Sequence, residues 1–187
     1  MASPVAHSFA GFWTFLLFAK QLRLRLSLPW RSWLPQLGLL IVVANLPDFD
    51  FIISLAVLGN ATLHHGFTHS LTLTVLVSLA LSYVWRIAQS FWPTFAIYFT
   101  AYGSHLLIDL FTGSRLGWTS SGYGIPLFWP WDRTFTSPLI LVPGVRHVDL
   151  HALFSIQNFW SAIYELVLFG AITAVVLLIR ARLARHR

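Results

Sequence analysis

Three short stretches hold most of the chemistry in this chain. Asn45-Leu46-Pro47-Asp48-Phe49-Asp50 is followed by His64-His65-Gly66-Phe67-Thr68-His69-Ser70 and then by His105-Leu106-Leu107-Ile108-Asp109. The chain has only six carboxylates and eight histidines, so three Asp and four His in these stretches form a site rather than a scatter. The Asp-x-Asp after an Asn-Leu-Pro turn sets two hard anionic ligands at a break in an apolar segment, because Pro47 interrupts a continuous helix. His65 and His69 are four residues apart, as are His105 and Asp109; on a helix each pair shares one face and can converge on a common ion. Cysteine is absent. Imidazole and carboxylate without thiolate suit zinc or manganese in a hydrolytic site better than a structural zinc site. A lone histidine in an apolar helix is ordinarily a hydrogen-bonded interior residue. Several ionisable groups together, at about 3 kcal/mol of insertion cost for each Asp, ask for a functional explanation.

The elements that must position these residues are apolar. The 187 residues are 57% hydrophobic and 10% charged, with a mean hydropathy of +0.71, far from the composition of soluble domains. The expected fold is all-α, a polytopic membrane helical bundle forming a single domain over 1–187. The formal net charge is +6, but the basic residues flank apolar runs and the C-terminus, which fits membrane topology and anionic headgroups rather than nucleic acid. No basic region precedes the first apolar run, so no cleaved signal peptide is expected.

Five apolar segments are expected, at 9–19, 37–58, 67–85, 91–111 and 159–179; the first is either a tight span or a re-entrant helix. Trp30 and Trp33 fit an interfacial belt. Residues 113–158 form a polar loop too long for a simple connector and placed to cover a site. Counting charges orients the bundle. With the C-terminus cytoplasmic, Lys20, Arg23, Arg25, Arg31, Arg86, Arg180, Arg182, Arg185 and Arg187 lie inside, and Arg115, Arg133 and Arg146 lie outside, as the positive-inside rule requires. The same threading brings His7, His64, His65, His69, His105, Asp109 and Glu165, with Asp48 and Asp50 deeper, to the non-cytoplasmic side under the long loop. His147 and His151, four apart, read either as an accessory pair or as surface residues.

The three stretches, together with His7 and Gly124-Ile125-Pro126-Leu127-Phe128-Trp129-Pro130, resemble the YdjM-like family of bacterial membrane-bound metal-dependent hydrolases, with the likeness running through about Trp131. In motif order that family is similar to zinc-dependent phospholipase C and related nucleases. The resemblance implies His7, Asp48 or Asp50, His64, His69, His105 and Asp109 as ligands of one to three ions, most simply Zn2+ with Mn2+ as the alternative. Where the family carries Arg after the first His of its motif, this chain has His65, which either adds a ligand or displaces a substrate-anion contact. The soluble relatives end their ligand set with His-x-x-x-Glu; here Ser161 precedes Glu165, so Glu165 is at most an additional ligand.

The expected function is hydrolysis of a phosphoester in a membrane lipid or lipid-linked substrate by metal-activated water at the bacterial inner membrane, with Asp48 or Asp50 as general base or bridging ligand. Arg115, Arg133 and Arg146 are candidate phosphate contacts. Trp118, Trp129 and Trp131 either line a lipid entrance or anchor at the interface. The alternatives are a zinc-dependent lipid amide or ester hydrolase and a non-enzymatic metal-binding or transport protein. Ser70 and Ser104 read as helix caps or ligand orienters rather than nucleophiles.

Overall fold

The computed structural model describes residues 1–22, 30–58, 66–146 and 150–185. His64, His65 and His147 lie outside the described residues, as does the side chain of His151. The described residues are mainly helical: α1 Pro4–Leu17, α2 Leu34–Asn45, α3 Phe49–Leu58, α4 Leu71–Val84, α5 Phe91–Leu110, the short α6 Leu150–Leu153, and α7 Ile156–Arg185.

Local chemistry sets the helix boundaries. Ser3 caps α1 by accepting from the Val5 N–H, with Pro4 in the first turn, where its missing N–H costs nothing. Ser70 caps α4 by accepting from the Leu73 N–H. At Pro47 the apolar run 34–58 breaks into a 3-10 turn over Leu46–Asp48, and this break delivers Asp48.

Helices α1, α2 and α5 surround a core of Phe15, Leu40, Val43, Ile97, Tyr98, Ala101 and Tyr102. The α1/α2 crossing depends on Gly11. A Cβ there would lie 2.8 Å from both the Ile41 Cα and the Leu40 oxygen, so only glycine allows this approach. Helix α4 turns a stripe of Thr74, Ser78 and Ser82 inward, all fully buried, and its Thr74 methyl faces Gly103 of α5. Small residues thus let these two helices close. Helix α7 runs parallel to α1: Phe169 stacks on Phe9, the Trp13 indole donates to Thr173 Oγ1 at 2.7 Å, and Arg180 donates to the Leu16 carbonyl at 3.3 Å.

Among the described residues, two helical stretches are long and apolar enough to cross a membrane, Leu34–Ser54 with mean hydropathy 1.7 and Ile156–Arg182 with 2.4. The other expected segments form helices that fall short for separate reasons. Helices α1 and α4 have 14 residues each, about 21 Å at 1.5 Å per residue against a hydrocarbon core of about 30 Å. Helix α5 has 20 residues but carries His105 and Asp109. The outward faces of α3, α4 and α7 expose large apolar side chains, among them Ile52, Ile53, Val57, Leu76, Val84, Leu166, Val167 and Leu178, a surface suited to hydrocarbon.

The loop after α5 is structured. Strands β1 Thr112–Gly113 and β4 Val142–Pro143 pair in parallel, and β2 Gly117–Trp118 pairs antiparallel with β3 Leu139–Ile140. The loop leans on the segment that carries His69. The Leu71 N–H donates to the Leu127 carbonyl at 2.9 Å, Thr72 Oγ1 to the Trp129 carbonyl at 2.5 Å, and Phe67 packs on Trp129.

Candidate metal centre

The candidate ligands meet at one end of the bundle. His7 comes from the second turn of α1, Asp48 from the break after α2, His69 from a 3-10 turn over Phe67–His69, and His105 with Asp109 from the last turns of α5. The opposite end holds Lys20, which lines a shallow pocket with Gln89 and Pro93, and Arg180, which contacts the end of α1.

The cluster is tight and buried. His7, His69 and His105 have no exposed surface, Asp109 has 2% and Asp48 has 9%. His105 Nε2 lies 3.2 Å from His69 Nε2, 3.3 Å from Asp48 Oδ1 and 3.3 Å from Asp109 Oδ2. His69 Nε2 lies 3.4 Å from Asp48 Oδ1 and 3.6 Å from Asp109 Oδ2.

The protons on the two rings are assigned by what their far nitrogens touch. His105 Nδ1 is 2.8 Å from the Ala44 carbonyl, which can only accept, so Nδ1 carries the hydrogen, and Nε2 is the nitrogen that faces the cluster, as a lone pair when the ring is neutral. On His69, Nδ1 meets Thr68 Oγ1 at 3.0 Å, and Thr68 Oγ1 donates to Asp50 Oδ2. The Thr68 proton is therefore committed to Asp50, so His69 Nδ1–H donates to Thr68 and its Nε2 faces the cluster, again as a lone pair when the ring is neutral.

With both rings neutral, four electron-pair donors, two of them anionic, meet at this point. Both Asp48 oxygens and Asp109 Oδ2 have no hydrogen-bond partner, and such groups are costly to bury. A cation resolves the conflict. The five separations, 3.2–3.6 Å, are short enough for these atoms to share one ion with bonds of roughly 2.0–2.2 Å. Asp48, His69, His105 and Asp109 form a group able to hold a metal ion.

His7 borders this group. Its Nε2 lies 3.6 Å from Asp109 Oδ1 and 3.9 Å from Asp48 Oδ2, the oxygens facing away from the first set, and both of its ring nitrogens lack partners. Asp109 Oδ1 also accepts from the Ala2 N–H at 2.9 Å.

Asp50 stands behind His69, with Oδ2 3.5 Å from Nδ1, on the far side of the ring from the cluster. Glu165, fully buried, accepts from the Ser3 and Ala6 N–H groups at 2.8 and 3.2 Å and from the Ser3 hydroxyl. It anchors the start of α1, and so His7, to α7. Arg115, Arg133 and Arg146 are exposed; Arg133 lies over the Trp131 ring, 5.1 Å from its centroid. The Ala44 carbonyl and Thr68 escaped the sequence reading. A backbone carbonyl leaves no residue-type signal, whereas Thr68 sits inside the motif beside His69.

A family model described as YdjM inner membrane protein matches residues 1–186. No curated protein and no solved structure matches the chain.

Proposed function

The chain belongs to the YdjM inner membrane protein family, and on that premise we propose that it is a membrane-embedded metal-dependent hydrolase that cleaves a phosphoester of a lipid or lipid-linked substrate. The observation that carries this reading is the buried convergence of Asp48, His69, His105 and Asp109 on one point, with both Asp48 oxygens and Asp109 Oδ2 unpartnered. Imidazole and carboxylate ligands without thiolate suit zinc, with manganese as the alternative.

A bound divalent ion would polarise the phosphoryl oxygen and bring the pKa of a coordinated water toward about 7. The residues do the rest. Asp48 and Asp109 each turn one oxygen to the His69/His105 pair and the other to His7, so the two carboxylates would be able to hold metal on either side. The His7 side offers three protein ligands and so leaves a position for water or substrate, as catalytic sites do. Asp48 or Asp50 would serve as the general base for that water, or Asp48 as a ligand shared by the two sides. Asp50, acting through Thr68 and His69, keeps the His69 lone pair aimed inward. Arg146 is the loop arginine best placed to meet a phosphate, since its neighbour Val145 lines the cleft that reaches Asp48.

In the membrane, α1, α2 with α3, α4, α5 and α7 form the spanning bundle, the basic end faces the cytoplasm, and the cluster faces the opposite side. One observation favours a second reading. The set of four protein ligands is closed, as in structural or storage sites, so a non-enzymatic metal-binding role is the competing function.

The test is elemental analysis of detergent-purified protein, followed by product analysis with phospholipids and lipid-linked phosphates. Zinc or manganese near stoichiometry, lost in His105→Ala, with release of phosphate or a phosphorylated headgroup, is expected. Metal without turnover would favour the binding role, and release of fatty acid would shift the bond cleaved to an ester or amide.

A further inference from the structure

Between α3 and α7 lies a cleft of about 640 Å³, within the roughly 300–1,000 Å³ range of small-molecule sites. Its walls are Phe51 and Ile52 from α3, Phe159 and Ala162 from α7, and Val5 from the start of α1. The polar groups along it are already engaged. Asn158 gives its amide hydrogens to the carbonyls of Arg146 and Ala152 and accepts from the Arg146 N–H, while Ser3 is bound to Glu165. Asp48 differs: it borders the cleft, is nine-tenths buried, and its two buried oxygens have no hydrogen-bond partner. The outer rim is continuous with the exposed apolar surface. Ile52 is 56% exposed, Phe159 58% and Phe154 88%.

An apolar trough that opens toward hydrocarbon and ends on a metal-binding carboxylate fits an amphiphile held lengthwise. We propose that this cleft binds a single acyl chain of a membrane lipid, entering sideways between α3 and α7, with the polar head delivered to Asp48. The assignment of the head to a metal centre rests on the function proposed above; the assignment of the chain to the cleft does not. The chain gains apolar burial, and the lack of free polar groups along the walls makes the site tolerant of chain identity and selective for the end that carries charge.

The experiment uses the full-length protein in detergent with a lysophospholipid bearing a photoactivatable diazirine midway along its chain. Cross-links are mapped by mass spectrometry in wild type, Ala162→Trp, Ile52→Trp and Leu76→Trp, the last on the outer face of α4. Labelling concentrated on peptides carrying residues 51–52 and 159–162 is expected. It should fall roughly tenfold when either cleft tryptophan excludes about two methylenes, and hold in Leu76→Trp. Even labelling over all outer faces, or labelling indifferent to both cleft tryptophans, would overturn the proposal. Metal content measured on the same samples separates the two readings. Cleft labelling in a metal-free protein supports the acyl site while the hydrolase falls; bound metal with labelling elsewhere does the reverse.

Discussion

The imidazoles of His7 and His105 stack face to face, with centroids 3.6 Å apart and planes inclined by 16°. This contact ties the start of α1 to the end of α5 and places His7 beside the outer oxygens of the two carboxylates whose inner oxygens meet His105. The two histidines therefore serve different halves of one cluster.

That division predicts unequal losses of metal. In His105→Ala and Asp109→Asn the purified protein should lose essentially all bound metal. His7→Ala should retain one ion per chain and lose activity. Elemental analysis beside a phosphoesterase assay checks this, and equal metal loss in all three variants would show the cluster to be a single unit.

Asp50 should behave as a positioning residue. Asp50→Asn weakens the hold on Thr68 and His69, and metal affinity should drop by roughly 10–100-fold while the fold persists. Chelator competition read against helical circular dichroism separates that outcome from unfolding. Asp48→Asn removes a ligand itself and should cost more affinity than Asp50→Asn.

Gly11 tests the packing that carries His7. Gly11→Ala forces a Cβ against the backbone of Leu40 and Ile41 at 2.8 Å, which should destabilise the protein by about 1–3 kcal/mol. A lower Tm in detergent is expected. An unchanged Tm would mean that α1 and α2 can separate without consequence.

Glu165 should matter for stability before it matters for metal. Glu165→Ala leaves the Ser3 N–H without its acceptor, at about 1–3 kcal/mol for a buried group left unpaired, while the Ala6 N–H keeps the Ser3 carbonyl at 3.1 Å. Glu165→Gln keeps one acceptor oxygen and should recover part of the loss. Metal content should follow His7, falling only if the start of α1 frays.

Orientation has its own measurement. A reporter active only in the cytoplasm should function when fused after Arg187, and a cysteine introduced at Trp118, 80% exposed on the loop, should react with a membrane-impermeant maleimide from the non-cytoplasmic side. The opposite pattern would reverse the bundle and place the cluster toward the cytoplasm.

Local rules made part of this protein readable from its sequence. Helical periodicity paired His105 with Asp109, and they meet at 3.3 Å. The geometry of proline broke the segment at Pro47, and Asp48 emerges there. Apolar composition announced helices that expose hydrocarbon-compatible faces. Only tertiary structure decided which of the remaining groups share an ion. Asp48 and Asp50 are indistinguishable by residue type and lie two apart, yet the 3-10 turn sends one into the cluster and the other behind His69. Glu165, a ligand candidate by type, caps α1 because α7 packs parallel to that helix. Contacts between residues more than a hundred positions apart depend on how helices cross, and the crossing is set by close approaches such as that of Gly11 to Ile41, which no residue spacing along the chain records.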